Sequence, residues 1–246
     1  MEIRFQSDVG KRRRMNQDAA NVFENQVGLP LAILADGMGG HLAGDVASQM
    51  IVTEVGSAWQ ENASLTVKEI TEWLTESIQA VNHKIYDIGE LQPEYDGMGS
   101  TAVMAVILEE QYIIANVGDS RAYLLRNQEI SQISDDHSLV NELVKSGEIT
   151  PEMAEKHPNK NILTRTVGMP NQIAVDIFVD QWRTDDYLLL CSDGLTNMVS
   201  EAEIAAIVFQ EKSLADKVEQ LVAAANEAGG ADNITVLIIQ LKEDNQ

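Results

Sequence analysis

The run TAVMAVILEEQYIIANVGDSRAYLL, from Thr101 to Leu125, decides the fold class. Thr101–Leu108, Tyr112–Val117 and Arg121–Leu125 are apolar, rich in β-branched and aromatic residues, and joined by short polar or glycine-containing gaps. Gaps that short make tight turns, so the three segments predict an antiparallel meander. Upstream, 2–7 and 20–26 read as strands, and 30–35 (Pro-Leu-Ala-Ile-Leu-Ala) as a buried one. Helices are expected at 43–59 and 66–88. In the second, Val67, Ile70, Leu74, Ile78, Val81 and Ile85 recur at helical spacing behind Thr66 as N-cap. Downstream, 135–171 is polar, carries three of the five prolines, and predicts only short helical pieces. So long an irregular excursion is often functional. Strands return at 173–179 and 186–191. Helices follow at 200–209 and 213–228, the latter opened by Ser213 with Asp216 three residues on and stopped by Gly229-Gly230. A last strand runs over 234–241. This order departs from regular βα alternation and predicts an α+β fold of antiparallel sheets covered by helix pairs.

The 246 residues, without repeats or Pro/Gly/Ser-rich linkers, suit one domain spanning 1–246. No apolar run reaches the ~18 residues of a membrane helix, and the N-terminus lacks the pattern of a signal peptide, so no membrane insertion and a cytoplasmic location are expected. The single cysteine, Cys191, excludes an internal disulfide framework and a cysteine-rich zinc site. With 17 basic and 39 acidic residues, the charge of −22 argues against nucleic acid as a partner.

Four aspartates share a setting: strand-like runs lead into Asp36-Gly37, Gly118-Asp119 and Ser192-Asp193-Gly194, and Asp232-Asn233 immediately precedes a strand. Taken singly, each is a turn, which Asp and Gly favour. Taken together, they place four carboxylates where rigid backbone can aim them. If they converge, each close pair repels by about 4 kcal/mol at 4 Å and effective dielectric 20. The cluster must then take up protons or cations, and an all-oxygen set suits Mg²⁺ or Mn²⁺.

Ordered segments extend these pairs: Arg13-Arg14-Met15-Asn16-Gln17-Asp18, Asp36-Gly37-Met38-Gly39-Gly40-His41, Gly99-Ser100-Thr101-Ala102, Gly118-Asp119-Ser120-Arg121, Asp136-His137-Ser138-Leu139-Val140, Leu163-Thr164-Arg165-Thr166-Val167-Gly168, Ser192-Asp193-Gly194-Leu195 and Asp232-Asn233-Ile234-Thr235. In this order the chain resembles the bacterial branch of the protein phosphatase 2C family of metal-dependent phosphatases. The resemblance implies a sandwich of two antiparallel β-sheets flanked by helix pairs. It also implies hydrolysis of phosphoserine and phosphothreonine by a metal-bridging water or hydroxide, without a phosphoenzyme. Asp36 would bridge two tightly bound Mn²⁺ or Mg²⁺ ions, Gly37 would give a backbone carbonyl to one, and Asp193 and Asp232 would complete the other. Asp119, with Asp193, would hold a weaker third ion. Asp18 would orient metal-bound water and Arg13 grip the phosphate. Residues 136–171 correspond to the family's flap. Phosphoproteins and a cognate bacterial serine/threonine kinase are the implied partners, and a monomer is the default.

Within so acidic a chain, Lys11, Arg12, Arg13 and Arg14 form the densest basic run, a local positive mouth for an anionic substrate. Met38 stands where some members of the family carry a histidine as proposed general acid; His41 is expected to be structural or solvent-facing. Gln17 takes no ligand role. His137 and His157 read as polar loop residues, Arg121 and Arg165 as ion-pair partners, and Trp59, Trp73 and Trp182 as core or half-buried. A cysteine phosphatase needs an arginine six residues after its nucleophile, where Cys191 has Asn197. Phosphate-binding glycine loops and the EF-hand spacing are absent from the sequence. The rival from another class is an inactive, phosphatase-shaped binding module, which would be expected to have lost the aspartates.

Overall fold

The structure, a computed structural model, describes residues 1–39 and 43–242; His41 lies outside them. Two antiparallel sheets stack face to face. The first orders β1 (Glu2–Asp8), β11 (Ile234–Gln240), β10 (Tyr187–Cys191), β7 (Arg121–Arg126) and β8 (Glu129–Gln132). The second orders β2 (Asp18–Glu24), β3 (Pro30–Met38), β5 (Ala102–Ile107), β6 (Gln111–Val117) and β9 (Asp176–Gln181), with β4 (Gly99–Ser100) on the end of β3. The central run therefore forms one hairpin, β5–β6, and not the expected three-stranded meander, because its third strand, β7, crosses to the first sheet and pairs with β10 and β8.

Between the sheets, Leu34, Val103, Ile114, Leu188, Leu190, Leu237 and Ile239 form an apolar layer. The outer face of the second sheet is covered by α1 (Ala43–Met50), a π-helical turn (Ile51–Val55), α2 (Gly56–Gln60) and α3 (Val67–Leu91). Trp59 is fully buried there, donates from Nε1 to Leu29 O at 3.0 Å and lies 4.8 Å from Trp73 by ring centroids. The outer face of the first sheet is covered by α7 (Glu201–Val208) and α8 (Leu214–Glu227) through Ile204, Val208, Val218, Leu221 and Val222. The result is the expected α-β-β-α order of layers.

Several boundaries differ from expectation. β2 begins at Asp18, two residues early, because Asp18 pairs directly with Asp36 at the end of β3. β9 begins at Asp176, three residues late. The helix expected over 43–59 is interrupted by the π turn, while α3 continues to Leu91. β8 was not expected: it is a short edge strand whose hairpin turns on Asn127 and Gln128, both with positive φ (54° and 68°). That is the type I′ geometry, reached here without the usual glycine. The segment after β8 holds the short helices α4 (Leu139–Lys145) and α5 (Pro151–Glu155) and no strand longer than an isolated bridge. α6 (Asp193–Thr196), a single turn, follows β10 directly.

A candidate metal centre at the strand ends

Both sheets deliver aspartates to the same end of the sandwich. Asp18 and Asp36 face each other across β2 and β3, Asp119 follows β6, Asp193 follows β10, and Asp232 precedes β11. Glycines explain how these backbones come so close. A Cβ on Gly37 would lie 1.9 Å from Gly44 O and 2.6 Å from Gln17 O, and one on Gly194 would lie 1.9 Å from Asn233 O. Only a residue without a side chain fits at either place. The Asp-Gly pairing thus reflects packing: each glycine admits a neighbouring backbone, and its aspartate is aimed as a result.

Asn233 ties the loops together. Its Nδ2 donates to Val9 O and Met15 O, both at 2.9 Å, and its Oδ1 accepts from Gln17 N at 2.9 Å. This fixes the segment carrying the basic run beside Asp232. Arg13 donates to Asp232 Oδ2 at 2.7 Å, and Lys11 and Arg12 donate from their backbones to Gly230 O. Arg13 therefore stands at the site, paired with a predicted metal ligand.

Asp18 is buried, and its Oδ2 accepts from Ser192 Oγ at 2.8 Å and Thr235 Oγ1 at 2.7 Å. Because Thr235 gives its only hydroxyl proton to Asp18, Ser7 must donate to Thr235, and Asn16 Nδ2 donates in turn to Ser7, both at 2.7 Å. Every donor in this chain points toward one oxygen. Asp18 Oδ1, by contrast, is buried without a partner. A buried carboxylate oxygen requires a donor or a cation.

Asp36 is held by its backbone: its N–H donates to Thr101 Oγ1, and its carbonyl accepts from Ser100 Oγ and Thr101 N, all at 2.9 Å. Its carboxyl is pushed well above the usual range, first by desolvation and then by the negative charges of Asp18, Asp193, Asp119 and Asp232. Asp119 rises to about 7 through desolvation, then Asp193 and Asp136, although Arg121 opposes the shift. Asp193 rises to about 6 through desolvation and Asp232, against Arg13, the Asn197 hydrogen bond and Lys160. Asp18 also rises to about 6, with desolvation outweighing its two hydroxyl donors. Four carboxylates with raised proton affinity, in the field of one another and of the Asp232 charge, form a site that calls for positive charge.

Among the described residues, no three carboxylate, imidazole or thiol groups are gathered tightly enough to hold an ion by themselves. The residues nevertheless fit a divalent cation in two respects. The unpartnered Asp18 Oδ1 lies within the cluster's mutual field, and the donor set is entirely oxygen, as Mg²⁺ and Mn²⁺ prefer.

Other expectations resolve simply. Arg121 pairs bidentately with Asp136 at 2.7–3.1 Å, and Arg165 with Asp176 at 2.6 Å. Cys191 is fully buried within β10 and its thiol is pushed up to about 12, chiefly by desolvation. His157 Nδ1 accepts a local bond from Asn159 N at 3.2 Å. His137 differs from expectation: it is 3% exposed and bonded to Gly118 and Asp176. Ser7, Ser192, Thr235, Asn233 and His137 are the supporting residues that sequence reasoning assigned no role, though all except Ser7 lie within the ordered segments.

An oxygen-lined, carboxylate-rich centre at one end of an α-β-β-α sandwich fits a metal-dependent enzyme. The family model for protein phosphatase 2C matches residues 10–236. The serine/threonine phosphatase stp of Listeria innocua is 49% identical over 241 residues, covering 98% of this chain and 96% of the relative. The Streptococcus agalactiae serine/threonine phosphatase superposes with a TM-score of 0.96 at 48% identity, covering 98% of this chain and 99% of that one. The catalytic domain of PstP, solved in complex with two manganese ions, gives 0.86 at 31% identity over 98% of each chain. The chain belongs to the protein phosphatase 2C family and is a metal-dependent protein serine/threonine phosphatase.

Proposed function

We propose that the chain dephosphorylates phosphoserine and phosphothreonine on proteins modified by a bacterial serine/threonine kinase, as a cytoplasmic monomer whose residues 136–171 act as a flap within a single domain. The observation that carries this most directly is the convergence of Asp18, Asp36, Asp119, Asp193 and Asp232, each of the first four with a raised pKa. Asp36, the Gly37 carbonyl, Asp193 and Asp232 would hold two Mn²⁺ or Mg²⁺ ions, and Asp119 with Asp193 a weaker third. When bound, such ions supply a hydroxide nucleophile near neutral pH and offset charge on the phosphoryl oxygens.

The chain's own groups do the rest. Asp18, with one oxygen saturated by hydroxyl donors, presents the other as an acceptor that orients the attacking water. Arg13 sits on Asp232 through an exposed side chain and can turn its fork toward a phosphate. Met38 cannot supply the proton for the leaving oxygen, a role open to any acid or water within hydrogen-bond reach. Hydrolysis of p-nitrophenyl phosphate and of a phosphothreonine peptide, with EDTA or Mn²⁺, tests the function in the wild type and in Asp193→Ala. Turnover that depends on Mn²⁺ and disappears in the variant is expected. Turnover in EDTA, or an unaffected variant, would overturn the metal assignment, and no turnover with any divalent ion would favour an inactive binding module.

A further inference from the structure

A cleft of about 640 Å³ opens beside Asp119 and Asp193 and is bounded by α4, α5 and α6. Asp119, Asp136 and Asp193 are part of its lining; beside them Asn141, Asn161 and Asn197 present amides, and Val144, Pro151 and Ala154 present apolar surface. Such a mixture suits an extended peptide, whose backbone needs hydrogen-bond partners and whose side chains need some apolar contact. Two cations also line it. Arg121 is fully engaged by Asp136. Lys160 meets only the neutral Asn197 Oδ1, at 3.3 Å, and no carboxylate lies within ion-pair range of it among the described residues. The other arginine at the centre, Arg13, is paired with Asp232. Among the described residues Lys160 is thus the cleft's one cation that no carboxylate hydrogen-bonds, its charge acting on Asp193 without an ion pair, in a chain of net charge −22.

We infer that this cleft seats the stretch of substrate flanking the phosphoresidue, and that Lys160 selects an acidic side chain there. The inference rests on the phosphatase function proposed above and specifies the class of phosphoprotein acted upon. The charge pattern supplies the reason. The acidic surroundings repel a negatively charged peptide in general, so an acidic flanking residue is accepted only where a cation answers it. A lysine offers a point charge on a flexible stem, which suits one carboxylate at a rim without demanding fixed geometry. A purely structural Lys160, latching the loop to Asn197, would treat all peptides alike.

The test uses the Mn²⁺-loaded enzyme and phosphothreonine peptides that differ only in one Asp, Asn or Lys, moved from three positions before the phosphoresidue to three after. The measured quantity is the ratio of kcat/KM for the Asp peptide to that for the Lys peptide within each enzyme, which cancels any general loss of activity. The wild type should prefer Asp by about three- to fivefold at one or two adjacent positions, the size expected of an exposed ion pair. Lys160→Gln should abolish that preference, and Lys160→Glu should reverse it at the same positions. An Asp preference that survives both substitutions, or a wild type indifferent to charge at every position, would overturn the role of Lys160 while leaving the phosphatase function standing. A wild type that hydrolyses none of the peptides would overturn the phosphatase function itself.

Discussion

His137 grips Gly118 from two sides. Its backbone N–H donates to Gly118 O, and its Nδ1 accepts from Gly118 N, each at 3.0 Å. Accepting that bond leaves Nδ1 without a proton, so the neutral ring carries its hydrogen on Nε2, facing Asp176 Oδ2 at 3.0 Å, while Arg165 Nη1, 2.9 Å from the same nitrogen, gives its hydrogens to Asp176 Oδ1 and Ala174 O. Gly118 precedes Asp119, so the pair Asp176–His137 fixes where that carboxylate stands. His137→Phe strands the Gly118 N–H and should cost about 1–3 kcal/mol in denaturant unfolding. It should also lower kcat with less change in KM, because Asp119 is displaced while Arg13 is untouched; a variant as stable and active as wild type would remove His137 from this role. For Asp119 itself, Asp119→Ala should lose turnover yet retain two tightly bound Mn²⁺ ions by calorimetry. Loss of one of those two ions would place Asp119 in the tight pair instead. At this scale the sequence was legible where chemistry and backbone constraint coincide, as at Asp36-Gly37 and Asp193-Gly194. It was not legible for His137, because a histidine in a polar stretch looks the same whether it faces solvent or clamps a neighbouring turn.

Elements were legible in proportion to how locally they are determined. The apolar spacing of α3 fixes its buried face (Ile70, Leu74, Ile78, Val81 and Ile85), and Thr66 starts it. Thr66 Oγ1 accepts from Glu69 N at 3.3 Å while Glu69 Oε2 accepts from Thr66 N at 3.0 Å, a reciprocal capping box. Thr66→Ala should therefore cost about 1 kcal/mol, and the midpoint of thermal unfolding should fall by about 2–4 °C. An unchanged midpoint would mean that tertiary packing of α3 holds its first turn without the cap. Elements determined by distant partners were harder to place. β2 starts at Asp18 only because β3 offers Asp36 opposite it. β8 has the polar sequence Glu-Ile-Ser-Gln and exists by pairing with β7. The π turn in the first helical run adds its extra residue where Val52 and Val55 pack into the core, a register that helical periodicity alone does not specify.

For the whole molecule, the site works against the charge balance that surrounds it. The sandwich gathers carboxylates from both sheets at one end, and a chain of net charge −22 offers little compensation beyond Arg13 and Lys160. Stability should record that conflict. In metal-free protein, Asp18 and Asp193 hold protons up to about pH 6 and Asp119 up to about 7, and Asp36 also titrates well above its ordinary value of 3.8. The unfolded chain releases the same protons near pH 4. Between those limits the folded state binds more protons, so stability is greatest on the acid side and falls as pH rises toward 7. Asp176, whose pKa is lowered because His137 and Arg165 outweigh its desolvation, contributes in the opposite sense. Its contribution is already complete above its unfolded value and is lost only on further acidification, so it adds no slope between pH 5 and 7.5. Thermal unfolding in EDTA should therefore show a midpoint that declines across that interval, less steeply in Asp36→Asn. Millimolar Mn²⁺ should raise the midpoint, and by more at pH 7.5 than at pH 5, because cations then replace protons that the folded state has lost. A midpoint in EDTA that stays level, together with a Mn²⁺ effect independent of pH, would show that the carboxylates do not share one field and would separate the metal centre from the cluster described above.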